Sequence, residues 1–503
     1  MKQTGKGAAP VFAKMTRLSG LQAKAQTWFK TRVMASRKTQ ALFITVVAAT
    51  AVVLGPVTVA AIGGGGSLPL IGFNEERAMG FEEKLVSLGP RWAGTPNEAA
   101  AADFIASEFT KAGLKDVKIE DFEEILWEVN TAEISIVPYG PLGLKPSLTQ
   151  SPISFEHKRD FVVQGFSGSR PASNFRFDLL PFWVQGAGDN ETDFSGGSGR
   201  VCIVEWKEAS ITGNWVLFNN SWNAGCAALL AHNQVYAPEL NYTPISKGNP
   251  QPEYWPDPSY PDIPFAAISM DMGEQIRSHP SWKIRLNFDV SIGTRLTHVV
   301  TGDVKGTVDP SRFVMLGSHL DNVYVNNGAV DDGVGTTTII ELAHQLAGTS
   351  PKYTIRLAAF GAEEEGLLGS EDWRDAHAAE VNSSMIAMFQ FDMNHVDLER
   401  CAEMYFTTND NATISPLLDA ERKVREATPT YSVYSPVISY GDTSRMGSDM
   451  AVFAAWGKTA LFAHGCGSLE YHTYLDDINR VTMPSLGYSG RVFASVALWM
   501  ANK

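Results

Sequence analysis

Short apolar runs alternate with amphipathic segments along the C-terminal part of the chain, from residue 296 onward. The runs have the length of buried strands, and the segments between them space their apolar residues as helices do. Strands are predicted at 312–318, 353–360, 385–391 and 459–463, and helices at 333–346, 366–379 and 485–500. Apolar strands that alternate with helices indicate an α/β fold, with a mixed, mostly parallel central sheet and helices on both faces.

The region before position 150 has the signals of two helices and one strand. The first helix is predicted over 74–88. Thr95 is suited to cap the second helix, with Pro96 at its first position and Glu98 three residues after the cap. Gly113 is expected to end this helix, and residues 117–136 then alternate as a strand does.

The composition changes between about residues 150 and 295, where Pro, Gly, Asn, Trp and Tyr become frequent. Short strands are predicted at 200–206 and 265–269, with a helix of small residues at 223–232 between them. We therefore predict a β-rich insert at 151–294 within a larger α/β domain that is formed by 75–150 and 295–503.

An uncharged apolar segment occupies residues 41–62, and its length suffices to cross a hydrocarbon core of about 30 Å. Residues 1–40 carry nine Lys or Arg and no Asp or Glu. The positive-inside rule then places the N-terminus in the cytosol, as a basic tail at 1–40 that precedes a membrane anchor at 41–62 and a linker at 63–74. In this predicted topology the chain crosses the membrane once, and the part that follows the anchor lies outside the cytosol. A cleaved signal peptide of a secreted protein, a mitochondrial transit peptide and a buried helix are the alternatives.

The charge of the chain is unevenly distributed. The net charge is −14, so the part after residue 40 carries about −23, by subtraction of the nine positive charges before it. An acidic body argues against nucleic-acid binding, which needs a basic surface. It fits cation binding, although acidity also serves solubility.

Cysteine usage leaves the redox compartment open. Four cysteines occur without a CxxC pair, which argues against a structural zinc knuckle; they are Cys202, Cys226, Cys401 and Cys466. One or two disulfides would suit an oxidising compartment, and four buried thiols are the alternative. N-glycosylation sequons at Asn190, Asn219, Asn241, Asn382 and Asn411 support secretion weakly, since a chain of this length has some by chance.

Potential metal ligands and acid–base groups stand at the ends of the predicted strands. They are His319 and Asp321, Asp331 and Asp332, the glutamates 363–365, Asp392, and His472 within 470–477. Each alone has an ordinary explanation, since an Asp pair before a helix is usually a cap and a Glu run favours the helix dipole. Together they fall where the ligands of such sheets bind, beyond the carboxyl ends of the strands. Two histidines among carboxylates suit zinc better than magnesium or calcium.

In their order and spacing, these motifs resemble those of the co-catalytic zinc exopeptidases, which include bacterial leucyl aminopeptidases, aminopeptidase Y, carboxypeptidase Q and glutamate carboxypeptidase II. The resemblance covers about residues 75–500. It is carried by His-Leu-Asp (319–321), Asp-Asp-Gly (331–333), Ala-Glu-Glu-Glu-Gly-Leu-Leu-Gly-Ser (362–370), Phe-Asp-Met (391–393), Ser-Asp with Phe453 (448–453) and Tyr-His-Thr-Tyr-Leu-Asp (471–476), with Arg-Trp-Ala-Gly-Thr-Pro (91–96) like the family's N-terminal bridge. It implies the zinc exopeptidase fold, two zinc ions per chain and hydrolysis of a terminal peptide bond.

The resemblance also implies residue roles. Asp331 would bridge the zinc ions. The other implied ligands are His319 and Asp392 for one zinc, and Glu364 and His472 for the other. Glu363 would be the general base, Asp321 would orient His319, and Tyr471 would polarise the scissile carbonyl. Asp332 and Asp449 would contact the ligand residues and not the zinc ions themselves.

Two positions depart from the family pattern or are left open by it. His395 stands where many relatives have Gly, and Cys466 could line the substrate pocket or pair with Cys401. The insert resembles a protease-associated domain in the segments 199–204, 224–228 and 263–269, and it would shape the entrance to the site or only pack beside it.

The end of the peptide that is attacked is not fixed by any single residue. An aminopeptidase is favoured over a carboxypeptidase or dipeptidase, because acidic groups such as Glu363 could hold a free amine and no Arg cluster for a terminal carboxylate is visible in the sequence. A glutaminyl-cyclase-type acyltransferase and an inactive, receptor-like relative are less favoured, because all five ligands are present. The expected partners are peptide substrates, with the membrane contacted through 41–62; the oligomeric state stays open.

Overall fold

The computed structural model describes residues 68–140, 142–170, 178–206, 214–233, 243–246 and 262–503. The predicted tail at 1–40 and the predicted anchor at 41–62 lie outside these ranges. Within the described ranges, no helix is both long enough and apolar enough to cross a bilayer.

Two sheets organise the described chain. The strands are β1 Lys115–Val137, β2 Ile153–Phe155, β3 Phe161–Val163, β4 Pro181–Trp183, β5 Val201–Trp206, β6 Ala228–Asn233, β7 Phe265–Ile268, β8 Lys283–Val304, β9 Asp309–His319, β10 Tyr353–Phe360, β11 Met385–Phe391, β12 Glu403–Thr408, β13 Ser435–Tyr440 and β14 Thr459–Gly465. A nine-stranded sheet has the order β13-β12-β14-β11-β9-β10-β8-β1-β2, and a five-stranded sheet has the order β3-β7-β6-β5-β4. The strands of the smaller sheet all fall within the predicted insert.

The α-helices are α1 Glu75–Val86, α2 Pro96–Ala112, α3 Asn214–Asn223, α4 Met270–Ser278, α5 Val334–Leu346, α6 Leu368–Ala376, α7 Ala378–Ser384, α8 Ile414–Ala427, α9 Met450–Ala454 and α10 Met483–Met500. Helix α2 starts and ends where its sequence signals predicted. Thr95 accepts a hydrogen bond from the Glu98 amide, Pro96 opens the helix, and Gly113 ends it in the left-handed conformation.

Alternate residues of β9 lie in different apolar cores, which shows that both faces of the large sheet are covered. Val314 and Leu316 belong to one core, together with Ile339 of α5. Phe313 and Met315 belong to another, with Trp373 and Phe453 of the helices on the opposite face. The α/β class predicted from the apolar runs is therefore confirmed.

The prediction of a mostly parallel sheet was wrong. Strands β10, β9, β11 and β14 are parallel neighbours at its centre, but β8, β1, β2 and β12 pair antiparallel around them, so half of the strand pairs are antiparallel. At β1 and β8 the cause is the insert, because the chain leaves the large sheet along β1 and returns beside it along β8. An antiparallel pair needs no crossover helix. The alternation of apolar strands with helices therefore does not predict it.

The helix predicted at 223–232 was also wrong. The helix α3 ends where that prediction began, and Ala228–Asn233 is a strand between β5 and β7. Leu229 and Leu230 are fully buried, and a short apolar run buried on both faces has no period that separates strand from helix. Strands β12 and β13 and helix α8 were not predicted.

Candidate metal centre

The ends of the parallel strands bring the predicted site residues to one edge of the large sheet. β9 ends at His319, opposite Phe360 at the end of β10. β11 ends at Phe391, opposite Ala463 near the end of β14. The segments that follow these positions therefore emerge side by side, as expected for the carboxyl edge of a parallel sheet.

Asp331 lies between the two histidines of this edge. Its Oδ1 atom is 3.3 Å from Nε2 of His319, and its Oδ2 atom is 3.2 Å from Nε2 of His472. All three side chains are buried. One carboxylate oxygen towards each imidazole is the arrangement that a carboxylate shared by two cations needs.

One further carboxylate accompanies each histidine. Asp392 Oδ1 is 3.8 Å from His319 Nε2, and Glu364 Oε2 is 2.8 Å from His472 Nε2. Potential ligand atoms lie within 4.8 Å of one another in two groups, one around His319 and Asp392 and one formed by Asp331, Glu364 and His472. The structure thus brings all five predicted metal ligands together.

The neighbouring Asp332 also lies within ligand distance in the His319 group, but its carboxylate is already engaged. It accepts backbone hydrogen bonds from His319, Gly335 and Met393 at 3.3, 3.0 and 3.0 Å. Asp332 thereby ties the end of β9 to the segment after β11, whereas Asp331 faces the two imidazoles. Burial raises the pKa of Asp332 well above its usual range.

Asp321 connects the first histidine with the glutamate run. Its Oδ1 atom is 3.5 Å from Nδ1 of His319, the ring nitrogen on the side away from Asp331. Both carboxylate oxygens also accept backbone hydrogen bonds, from Glu363 at 3.2 Å and Glu364 at 3.3 Å. One fully buried carboxylate therefore faces the ring of His319 and fixes the backbone of Glu363, the candidate base, and of Glu364, a candidate ligand.

The donor atoms of the site fit a metal. Within the described part of the chain, buried atoms without a hydrogen-bond partner include both ring nitrogens of His319, Oδ2 of Asp331 and Oε1 of Glu364. Buried polar atoms are costly when unpaired, and imidazole with carboxylate is a donor set that binds zinc. Burial acts to lower the pKa of His472, but the neighbouring Glu364 and Asp331 raise this pKa to about 9.

Glu363 lies beside the ligand candidates and is half-buried. Burial raises its pKa well above the usual range of a glutamate, with His319 opposing the shift and Asp392 adding to it.

Tyr471 packs its ring on the ring of His472, with 3.7 Å between the centroids. Asp449 lies in the same buried acidic group, where burial raises its pKa to about 7, and it accepts from Gln390.

The loop that contains Asp331 is held by two residues for which the sequence predicted no role. Asp476 accepts hydrogen bonds from the amides of Val330 and Asp331, at 2.7 and 3.1 Å. Burial raises its pKa to about 7. Its position at the end of the motif 471–476 was the available signal, but sequence gives no means to see that it reaches across 145 residues to the other motif.

Arg91 is the other supporting residue, and it is fully buried. Its guanidinium group donates to the carbonyls of Leu320, Asn327 and Gly328. An arginine buried among carbonyls fixes the backbone that follows β9. The signal in the sequence was an arginine in the turn-rich bridge 91–97.

The four cysteines form two disulfides, Cys202–Cys226 and Cys401–Cys466.

A mixed α/β sheet with a buried imidazole–carboxylate cluster beyond the carboxyl ends of its strands places this chain among α/β proteins with a candidate metal site. Residues 300–497 match the model of peptidase family M28. The resemblance to the co-catalytic zinc exopeptidases is thereby confirmed, and the chain is a metallo-exopeptidase.

Relatives of this chain include both kinds of exopeptidase. It is 25% identical to aminopeptidase YwaD of Bacillus subtilis over 437 residues, which cover 83% of this chain and 84% of that protein. It is 24% identical to carboxypeptidase Q of Mus musculus, over 60% of this chain and 62% of that protein. Among solved structures, the zinc aminopeptidase BSAP of Bacillus subtilis has a similar fold, with a TM-score of 0.64, 21% identity, and coverage of 86% of this chain and 95% of that one.

Proposed function

We propose that this protein is a zinc-dependent aminopeptidase that holds two zinc ions per chain. The observation that carries the proposal is the buried Asp331 carboxylate, which faces one imidazole with each oxygen. His319, Asp331 and Asp392 would hold one ion, and Asp331, Glu364 and His472 the other. Bound zinc supplies Lewis acidity, which makes water nucleophilic near neutral pH and stabilises negative charge on the substrate oxygen.

Glu363 is the proposed general base. It would take a proton from the attacking water and pass it to the leaving amine. Its backbone amide donates to Asp321. This hydrogen bond fixes the main chain from which the Glu363 side chain extends, at the turn after β10. Tyr471 is the proposed donor to the carbonyl of the scissile bond, and the stacking of its ring on that of His472 supports this role.

An aminopeptidase is favoured by the charge around the site. The cluster is rich in carboxylates, which suit a free α-amino group. The neighbouring arginines are engaged with the protein, since Arg91 donates to three carbonyls and Arg400 donates to Glu470 with two nitrogens. A carboxypeptidase, the activity named in the mouse relative, would need a cation for the terminal carboxylate of its substrate.

The test uses the full chain, purified in detergent. Zinc per chain is measured, and hydrolysis of leucine-p-nitroanilide is compared with that of an N-acylated dipeptide. We expect about two zinc ions and preference for the free amine. Glu363→Gln should retain zinc and lose activity by about 10²-fold or more. Glu371→Gln is the matched control, because Glu371 is exposed on the next helix. One or no zinc, or activity that is indifferent to Glu363, would refute the proposal; preference for the acylated dipeptide would assign a carboxypeptidase.

We further propose that the insert is a protease-associated-like domain that shapes the site. Tyr324, in the loop after β9, supports this with its hydroxyl 3.1 Å from the carbonyl of Val163 in β3 and its own carbonyl bonded to Lys158. The loop of the metal centre and the insert therefore share a hydrogen-bonded contact.

For the location, we propose a single-pass membrane protein anchored by 41–62 with its peptidase domain outside the cytosol. The two disulfides suit an oxidising compartment, and the sequon residues Asn190, Asn382 and Asn411 are exposed. The expected result is that the full chain resists carbonate extraction from membranes, while deletion of 1–62 releases active enzyme. Extraction of the full chain by carbonate would contradict the anchor.

A further inference from the structure

The second ring nitrogen of each ligand histidine has a different kind of partner. For His319, Nδ1 faces the carboxylate of Asp321, two residues away on the same strand end. For His472, Nδ1 lies 2.6 Å from the carbonyl oxygen of Ser246, which belongs to the insert. The orienting group of one ligand histidine therefore comes from outside the peptidase domain.

This contact fixes the tautomer of His472. A carbonyl oxygen can only accept, so Nδ1 must carry the proton that it donates to Ser246. Nε2, on the opposite side of the ring, then keeps its lone pair towards Asp331 and Glu364. The backbone amide of Ser246 also donates to the carbonyl of His472 at 2.9 Å. The reciprocal pair holds both the ring and the main chain of the ligand.

Gln164 holds the Ser246 segment in place. Its side-chain Nε2 donates to the carbonyl of Ile245 at 2.9 Å and to that of Val162 at 3.1 Å, and the side chain is fully buried. Its backbone amide donates to Phe265 of β7 at 2.9 Å. An unbroken series of hydrogen bonds therefore runs from the small sheet through Gln164 and residues 245–246 to His472.

We propose that Gln164 is a positioning residue for the zinc site of His472, so that the insert sets the affinity of one of the two ions. This rests on the proposed two-zinc function. Outer partners of metal-ligating histidines commonly contribute about 10–100-fold to metal affinity. Because Gln164 acts one step further out, through the Ile245–Ser246 backbone, we expect an effect of about 10-fold that is confined to one ion.

The experiment measures zinc retained by the full chain against a graded series of chelator concentrations. Gln164→Met keeps the side-chain length but removes the donor to Ile245. Its matched control is Ser167→Ala, since Ser167 is equally buried in the insert, but its hydroxyl accepts from the Phe265 amide and donates to the Gly168 carbonyl and not to residues 243–246. We expect Gln164→Met to release one zinc at about 10-fold lower chelator and to regain activity when zinc is added. Ser167→Ala should release both ions as the wild type does.

Two results would overturn the proposal: equal retention of both ions by Gln164→Met and wild type, or the same weakening in Ser167→Ala. If Gln164→Met does not fold, hydrogen exchange on the wild type tests the same contact. Zinc should slow exchange of the Ser246 amide, and unchanged exchange would refute the coupling. A wild type that binds no zinc would instead refute the proposed function, so the two failures are distinct.

Discussion

At the residue scale, two adjacent carboxylates of similar chemistry have different surroundings. Asp331 faces two imidazoles, whereas Asp332 accepts three backbone hydrogen bonds. Adjacent side chains diverge at this turn between a strand and a helix. The first is therefore available to cations and the second stabilises the backbone around them.

Asparagine substitutions should separate these two roles. Asp331→Asn is expected to lower zinc content from about two to below one per chain, and to lose mainly the stability that bound zinc contributes. Asp332→Asn would direct an NH₂ group at backbone donors, and should lower the free energy of unfolding by about 1–3 kcal/mol while zinc is largely retained. Zinc analysis and denaturant unfolding of both variants give the answer. Equal zinc loss in both would show that Asp332 is also a ligand.

Glu82 shows what burial alone does to a carboxyl group near the site. It is fully buried and accepts from the hydroxyl of Thr337 at 2.7 Å, and burial raises its pKa to about 8. Because the folded pKa lies above that of the unfolded chain, near 4.5, the folded state binds the proton more tightly. The contribution of Glu82 to stability is present below pH 4.5 and is lost as the pH rises towards 8.

Glu82→Gln should remove this pH dependence, because the amide keeps an acceptor for Thr337 and cannot ionise. We expect the unfolding free energy of the wild type, relative to the variant, to fall by about 1–4 kcal/mol between pH 5 and pH 8.5, at about 1.4 kcal/mol per pKa unit. Urea unfolding of the metal-free proteins at both pH values measures it. A constant difference would show that Glu82 is ionised throughout.

At the element scale, the last strand of the large sheet is joined to its neighbour covalently. Cys401 precedes β12 and Cys466 follows β14, and their disulfide spans 65 residues, against 24 for Cys202–Cys226 in the insert. Residues 467–473, which lead to the ligand histidine, start directly after this disulfide.

Removal of the longer cross-link should cost more. By chain entropy, the Cys401→Ser/Cys466→Ser variant is expected to lose about 1 kcal/mol more than Cys202→Ser/Cys226→Ser, within a loss of about 2–5 kcal/mol for each. Thermal unfolding of the two double variants at equal zinc concentration makes the comparison. The reverse order would mean that native-state packing of the disulfides, and not loop closure, dominates their effect.

At the scale of the whole molecule, buried carboxylates gather at the carboxyl edge of the large sheet, while the small sheet lies in a separate apolar core that it shares with β1 and β8. Removal of metal by a chelator should therefore destabilise the large sheet first. An ion at 1,000 times its dissociation constant stabilises by about 4 kcal/mol. Hydrogen exchange should increase at 328–335 and at the ends of β9 to β11 before it increases in Val201–Trp206 and Ala228–Asn233. Zinc should reverse the change and calcium should not. Simultaneous loss of protection in both sheets would indicate one cooperative unit.

The sequence alone determined most of the elements and the chemistry of the site. Apolar runs at 353–360 and 385–391 have the bounds of β10 and β11, because period and burial are local properties of a chain. The caps at Thr95 and Gly113 followed from local hydrogen bonding. The motifs at 319–321, 331–333 and 362–370 indicated the metal, and their place at strand ends predicted that they converge.

Only the tertiary structure decided how these parts meet. It directed the Asp332 carboxylate to three backbone amides, paired β1 with β8 antiparallel, and made the run at 228–233 a strand. It also brought Ser246 to His472, 226 residues away. Contacts of this kind depend on the direction of a side chain at a turn and on where a distant backbone carbonyl lies. Neither leaves a periodic trace in the sequence, because the cost of an unpaired buried group is set by the folded environment and not by its neighbours in the chain.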